Sequence, residues 1–227
     1  MKTKMINRIK EFSPTTILIM LKVALAIMAL AIFIRLTFSV TDGSGIQNID
    51  EAILRWIETL RTPFWNMMML DITALGGLGI SLVLIVVAVV LFIIASDYAA
   101  ALHMIITSMG AYHLAVWSKS IISRARPSII PQLIEAHGMS YPSGHSVLSS
   151  SLFLTLGILA CRHYRGYTKR IFILILTGAM IALVSFSRLY LGVHYPSDTL
   201  SGAMVGISWA LILAALFSKY HFKSSNF

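Results

Sequence analysis

The chain has 227 residues, of which 57% are apolar and 12% are charged, and its mean hydropathy is +0.82. Water-soluble domains carry about 25% charged residues, so this composition excludes an ordinary soluble domain and predicts a membrane protein. The net charge of +9 does not indicate a nucleic-acid partner, because ten of the eighteen basic residues lie in three short clusters typical of cytoplasmic segments. The clusters are Lys2, Lys4, Arg8 and Lys10; Arg162, Arg165, Lys169 and Arg170; and Lys219 and Lys223.

Six apolar segments approach the length of about 20 residues that crosses a bilayer as a helix. They cover residues 16–38, 78–95, 99–118, 145–163, 170–187 and 197–218. If the basic N-terminus is cytoplasmic, alternation also places the other two basic clusters inside. We therefore predict one all-α domain over residues 1–227, an integral membrane six-helix bundle in the cell (inner) membrane with both termini cytoplasmic.

Residues 41–77 form an outer loop in this topology. The stretch from residue 50 to 60 alternates apolar and charged side chains with helical spacing, which predicts a short interfacial helix between the first and second spans. Its apolar side chains are Ile53, Leu54, Ile57 and Leu60. Residues 64–75 are apolar but too short to span before Gly76 and Gly77, so they form either a lid or an extension of the second span.

Four basic residues stand at the predicted outer face, against the usual distribution: Lys119, Arg124, Arg126 and Arg188. A phosphate ligand explains them, because Arg binds phosphate oxygens in a bidentate way and Lys adds a compact charge. Lys119 and Arg126 are seven residues apart, so two helical turns place both on one ligand before Pro127 ends the helix. For Arg124 alone we favour a side chain that extends to lipid headgroups.

Two further segments supply candidate catalytic groups at the same face. Ser143 is a predicted N-cap, and with Gly144 it forms a helix start that suits an anion, while His145 beside it suits proton donation. Farther along, Pro196 suits the first turn of the last span, and Asp198 in that turn reaches back to His194. A carboxylate on one imidazole nitrogen leaves the other nitrogen free to attack.

Two other histidines lie within an apolar segment. His103 and His113, both within the third predicted span, are interpreted as packing residues.

We predict no metal and no cofactor, because metal-dependent phosphatases need clustered carboxylate or histidine ligands and Asp198 is the only acidic residue in the three outer-face segments. The basic side chains would neutralise the phosphate charge instead.

The three segments together resemble the signature of the type 2 phosphatidic acid phosphatase superfamily. Its KxxxxxxRP, PSGH and SRxxxxxHxxxD motifs begin at Lys119, Pro142 and Ser187, and the resemblance covers about residues 99–215. It implies that His194 attacks phosphorus to give a phosphohistidine, that Asp198 orients His194, and that His145 protonates the departing oxygen. It also implies a set of phosphate-binding residues, namely Lys119, Arg126, Ser143, Gly144 and Arg188.

The leading hypothesis is a metal-independent lipid phosphatase or diphosphatase whose site faces the outer side of the membrane. Candidate substrates implied by the resemblance are undecaprenyl diphosphate, phosphatidylglycerol phosphate, phosphatidic acid and lipid A phosphates. A lipid phosphotransferase would use the same residues with an acceptor lipid in place of water. A third hypothesis is a non-catalytic lipid transporter of the same fold, against which the intact His145, His194 and Asp198 argue.

Overall fold

The computed structural model describes residues 13–43, 45–164 and 166–218, and these residues form eight α-helices without a strand. The helices are α1 (Pro14–Thr41), α2 (Ile46–Glu58), α3 (Pro63–Ala74), α4 (Leu78–Ile94), α5 (Tyr98–Ile121), α6 (Gly144–Arg162), α7 (Tyr167–Tyr190) and α8 (Pro196–Leu216). Five of these helices, α1 and α5 to α8, are long and apolar enough to cross a membrane. The all-α fold class and the multi-pass membrane character are therefore confirmed.

The second predicted span, residues 78–95, corresponds to α4, which follows α3 after a bend. α3 and α4 meet at an angle of 48°, and only together are they long and apolar enough to form a broken span or a re-entrant loop. Gly76 lies at the bend, where an added Cβ would stand 2.4 Å from Val184 Cγ1 and 3.3 Å from the His145 carbonyl oxygen. Only glycine allows so close an approach to α6 and α7. The bend therefore lies directly beside one of the candidate catalytic residues.

Close packing of α6 on α8 aligns the starts of these two helices. A Cβ at Gly206 would lie 2.4 Å from the Val147 carbonyl oxygen, and one at Gly202 would lie 2.5 Å from the Ser143 carbonyl oxygen. Small residues permit such contacts between membrane helices. The Ser143 N–H also donates to the Asp198 carbonyl oxygen at 3.0 Å. The PSGH segment and the start of α8 are consequently held side by side.

The opposite end of the bundle carries its own polar contacts. Lys22 Nζ donates to the Ala214 carbonyl oxygen at 3.1 Å and to Ser218 Oγ at 2.8 Å. Arg162 pairs with Asp97 at 3.1 Å. The C-terminal ends of α6 and α8 thus lie far from the three motifs. Of the predicted cytoplasmic clusters, these residues lie outside the part of the chain that the structure describes: Lys2, Lys4, Arg8, Lys10, Arg165, Lys219 and Lys223.

The helix predicted between the first two long apolar segments is α2, which begins earlier than expected, at Ile46. Leu54 and Ile57 are fully buried and pack against the loops around the site, whereas Ile53 and Leu60 are 36% and 40% exposed. Asp50 is also buried. One side of α2 therefore contacts protein, and a charged side chain is included in that contact.

The two histidines of α5 differ in their surroundings. His103 is buried and stacks on Phe217 with ring centroids 4.8 Å apart, which confirms it as a packing residue. His113 is exposed on the helix surface, so the prediction that it packs in the core is wrong. The apolar residues around it did not reveal which side of α5 faces the bundle.

Candidate active site

His194 lies in the loop that joins α7 to α8. Gly192 begins the reversal of the chain with φ = +76°, a conformation that favours glycine, and an added Cβ there would lie 2.8 Å from the Pro131 carbonyl oxygen. Pro196 then starts α8 as its first residue, as predicted. The turn leaves the His194 side chain only 2% exposed. Its environment is therefore set almost entirely by protein groups.

The two ring nitrogens of His194 have different partners. Nδ1 lies 3.5 Å from Asp198 Oδ2 and 3.3 Å from Ser140 Oγ, and Nε2 lies 3.3 Å from Arg126 Nη1. A guanidinium has only donors, so Nε2 accepts and the proton resides on Nδ1. The Nε2 lone pair accordingly faces the basic side chains. The predicted contact between Asp198 and His194 is present.

Asp198 is completely buried and receives hydrogen bonds from several groups. Its Oδ1 accepts from Arg124 Nη1 at 2.6 Å, and its Oδ2 accepts from the Tyr195 N–H at 2.9 Å and from the Ser140 hydroxyl. Position in the first turn of α8 adds a favourable helix dipole. A carboxylate held by this many donors remains ionised and fixed in direction. Neither Ser140 nor Arg124 belongs to the motif positions singled out by sequence.

The interpretation of Arg124 as a residue that extends to lipid headgroups is wrong. Its side chain is 10% exposed and forms ion pairs with Asp198 at 2.6 Å and with Asp50 at 2.7 Å. Its guanidinium carbon lies 4.1 Å from the centroid of the Tyr195 ring. Burial lowers the pKa of Arg124, but the two carboxylates outweigh burial and raise it. A buried carboxylate needs a countercharge, and Arg124 supplies it.

Lys119 and Arg126 converge on one loop, but by a different route from the predicted helix. α5 ends at Ile121, and Arg126 lies on the irregular segment that follows, so the two-turn helical relation is wrong. Lys119 Nζ donates to the Met139 carbonyl oxygen at 2.9 Å, and Arg126 Nη2 lies 3.5 Å from the same atom. Arg126 Nη1 also donates to the Val193 carbonyl oxygen at 2.8 Å. The two cations therefore meet beside His194.

Arg188 approaches the site from the last turn of α7. It is 4% exposed, and its Nη1 donates to Thr73 Oγ1 at 2.8 Å. Its Nε has no hydrogen-bond partner among the described residues. A buried guanidinium with an unused N–H is suited to an anionic ligand. Thr73 on α3 is a contact that no sequence motif indicated.

The PSGH segment opens α6 as predicted, with Ser143 as its N-cap. The Ser143 hydroxyl accepts from the Ser146 N–H at 3.5 Å, and an added Cβ at Gly144 would lie 3.9 Å from Lys119 Cε. An added Cβ at Gly77 would lie 3.7 Å from His145 Nε2, so the His145 ring points toward the bend between α3 and α4. The first turn of α6 thus lies near a lysine.

The predicted site residues form one cluster at one end of the bundle. His145 interacts electrostatically with Arg188, His194, Lys119 and Arg126, which places these five groups close to one another. No group of three histidine, cysteine or carboxylate side chains that could hold a metal occurs among residues 13–43, 45–164 and 166–218. Three cationic side chains beside an unprotonated imidazole nitrogen suit an anionic group such as a phosphate.

The neutral form of His194 is strongly favoured in the folded protein. Burial lowers its pKa to about 4, although the hydrogen bond with Asp198 and the carboxylate charge raise it. The charges of Arg188 and Arg126 contribute to this lowering. At neutral pH Nε2 is therefore unprotonated, which a nucleophilic nitrogen requires.

We expect the His194 ring to titrate near pH 4, well below the value of about 6.5 for an exposed histidine. Ring-labelled histidine in the detergent-solubilised protein would show this by NMR, and the His194→Asn spectrum assigns the resonance. A His194 midpoint at or above 6.5 would contradict the effect of burial.

Comparison with known proteins relates this arrangement to a family. The sequence profile of the PAP2 superfamily matches residues 97–222. Phosphatidylglycerophosphatase B of Bacillus subtilis is 29% identical over 182 residues, which cover 79% of this chain and 89% of that protein. Undecaprenyl-diphosphatase of Sulfolobus acidocaldarius is 39% identical over 75 residues, which cover 33% of this chain and 32% of that protein.

A solved structure supports the same relation at the level of the fold. The crystal structure of a transmembrane PAP2-type phosphatidylglycerolphosphate phosphatase from Bacillus subtilis superposes with a TM-score of 0.78 at 27% identity, covering 89% of this chain and 98% of that chain. The profile match spans more than half of the sequence and includes all three motifs that meet in the site. The chain therefore belongs to the PAP2 superfamily, as the resemblance of its motifs predicts.

Proposed function

We propose that this protein is a metal-independent lipid phosphatase or diphosphatase that works through a phosphohistidine intermediate. The chain is a hydrolase of phosphate bonds in lipids, since its PAP2 relatives are named as phosphatases of several lipids. The phosphohistidine proposal rests on the position of His194, with Nδ1 near Asp198 and Nε2 beside Arg126.

The proposed reaction has two steps. In the first, the Nε2 lone pair of His194 forms a bond to phosphorus while the bond from phosphorus to the lipid oxygen breaks, and His145, which enters this step protonated beside the anionic phosphate, donates its proton to that oxygen and becomes neutral. Asp198 stabilises the positive charge that the imidazole ring acquires. In the second step, water attacks the phosphohistidine, His145 accepts its proton, and inorganic phosphate leaves His194.

Binding and charge stabilisation are assigned to the side chains that surround this space. Phosphoryl transfer depends mainly on positioning and on neutralising the charge of the equatorial oxygens. Lys119, Arg126 and Arg188 supply three positive charges, and the start of α6 at Ser143 and Gly144 supplies backbone donors. This set replaces the cation that metal-dependent phosphatases use.

We further propose a six-span topology with the site at the extracytoplasmic face of the cell membrane. α3 and α4 together form the second span, and α2 lies at the interface. The distribution of basic residues supports this orientation, because Lys22 and Arg162 occupy the end of the bundle opposite to the site. Membrane lipids then surround the bundle, and a lipid phosphate can enter with its chains still in the bilayer.

The function is tested by phosphate release from a panel of lipids in detergent. The panel contains phosphatidylglycerol phosphate, undecaprenyl diphosphate, phosphatidic acid and lipid A phosphates, under identical conditions. We expect release from at least one of them by the wild-type protein and none above background by the His194→Ala protein. No release by the wild type, or equal release by both proteins, would contradict the proposal.

Chelation separates the proposed site from a metal-dependent one. We expect the wild-type rate to change by less than about twofold in excess EDTA, because cationic side chains neutralise the phosphate. The measurement is the initial rate on the best panel substrate before and after dialysis against EDTA, with and without added Mg²⁺. Strong inhibition that Mg²⁺ reverses would contradict metal independence.

A further inference from the structure

Asp50 is a buried carboxylate that lies outside both the three motifs and the matched residues 97–222. It stands on α2 and is 2% exposed. Its Oδ1 accepts from the Ser197 N–H at 2.9 Å, and its Oδ2 accepts from the Ser197 hydroxyl and from Arg124 Nη2 at 2.7 Å. Ser197 directly precedes Asp198 in the first turn of α8. Asp50 is therefore directed at the turn that carries the candidate orienting carboxylate.

Arg124 connects the two carboxylates. One of its terminal nitrogens donates to Asp198 Oδ1 at 2.6 Å, and the other donates to Asp50 Oδ2 and to Gln47 Oε1, each at 2.7 Å. The planar guanidinium can hold two acceptors in a fixed relation, which a lysine cannot. Stacking on Tyr195 restricts its rotation further. Asp50, Arg124, Asp198 and His194 consequently form a continuous series of contacts.

The charges in this series explain why Asp50 matters for His194. A pair of Arg124 and Asp198 alone is neutral, so it would offer little stabilisation to a ring that becomes positive during phosphoryl transfer. Asp50 compensates Arg124 and leaves one net negative charge on the group of three. That charge acts on the ring through a buried, poorly screened environment, where such interactions are strong.

We infer that Asp50 and Arg124 are positioning residues of the reaction: they hold Asp198 in place and preserve its negative charge toward His194. This inference rests on the proposed function, because it assigns a task within the same reaction. It also means that α2, which precedes the matched region, completes the site. The hydrogen bonds of Asp50 to Ser197 make the docking of α2 part of the geometry of the first turn of α8.

The test compares Asp50→Asn in two backgrounds. In the full-length protein we expect kcat on the best panel substrate to fall by about 10- to 100-fold, as for other residues that orient a functional side chain, while KM changes by less than about threefold. In an Asp198→Asn background, Asp50→Asn is expected to lower kcat by less than about threefold, because residue 198 no longer carries the negative charge that Asp50 preserves. Asp71→Asn, an exposed acid on α3, is the matched control and keeps the wild-type kcat.

Gln47→Leu provides a second, milder variant if Asp50→Asn does not purify in folded form. It removes a neutral acceptor, Gln47 Oε1, from the Arg124 guanidinium, and we expect a loss of about threefold in kcat that disappears in the Asp198→Asn background. A wild-type kcat in the Asp50→Asn protein, or equal fold-losses in both backgrounds, would overturn the inference. An inactive wild-type protein would instead contradict the proposed function, so the two failures are distinguishable.

Discussion

His194→Asn is expected to lower kcat for lipid phosphate hydrolysis by at least about 10⁴-fold, as loss of the nucleophile does in other covalent catalysts. The amide of Asn can still donate toward Asp198 Oδ2, which lies 3.5 Å from Nδ1 of the native ring, so the buried carboxylate keeps a partner. No nitrogen lone pair then faces Arg126. The loss therefore reports on the missing nucleophile rather than on a disrupted network.

The phosphoenzyme provides a direct measurement of this loss. Radiolabelled substrate and an alkaline quench are expected to leave label on the wild-type protein, since a phosphohistidine survives base and is hydrolysed by acid. The His194→Asn protein should carry none. His113→Asn, which changes an exposed histidine of α5, is the matched control and keeps both the label and the rate. Labelling of the His194→Asn protein would assign the nucleophile to another residue.

The three motifs could be brought together from sequence because their chemistry is local. Each one begins or ends a long apolar helix, so topology alone predicts a common face for Lys119, Ser143 and His194. The glycines at positions 202 and 206 then bring α6 and α8 into close contact. Caps and first-turn residues follow from short-range rules, and the N-cap at Ser143 was predicted on that basis.

The contacts that complete the site could not be predicted in the same way. Asp50, Arg124 and Asp198 lie far apart in sequence, and no periodicity links an acid on a short helix to an arginine between motif positions. Arg124 was interpreted as a headgroup ligand because its countercharges were not visible in the sequence. Ser140 and Thr73 were missed for the same reason, since a hydroxyl in a loop or helix carries no local signal of its distant partner.

The prediction that two helical turns separate Lys119 and Arg126 is wrong for a more specific reason. The rule assumed that α5 continues to Pro127, but α5 ends at Ile121 and the following residues are irregular. The two cations still meet, because the loop around Met139 folds back and accepts hydrogen bonds from both. The backbone carbonyls of that loop now determine the spacing of the charges, and their path depends on packing rather than on a repeat.

His145→Gln should separate the leaving-group step from phosphate binding. A lipid alkoxide needs a proton as it departs, whereas a nitrophenolate does not, so kcat/KM should fall by about 10²- to 10⁴-fold on the lipid and by less than about tenfold on an aryl phosphate. The ring of His145 points toward the bend between α3 and α4, on a different element from His194, which suits a role on the departing oxygen. The measurement compares the two kcat/KM values in one protein preparation.

The His145→Gln variant should also reveal the second step of the reaction, the hydrolysis of the phosphohistidine. With an aryl phosphate, His145→Gln forms the phosphohistidine but lacks the group that accepts a proton from water, so labelled protein should accumulate to a higher level than in the wild type. Arg126→Lys is the comparison, because it changes a proposed phosphate-binding residue. It should lower kcat/KM for both substrates alike, and labelled protein should not accumulate. Equal losses on both substrates in the His145→Gln protein would make His145 a phosphate ligand. The difference between substrates therefore decides whether this imidazole transfers a proton or only binds.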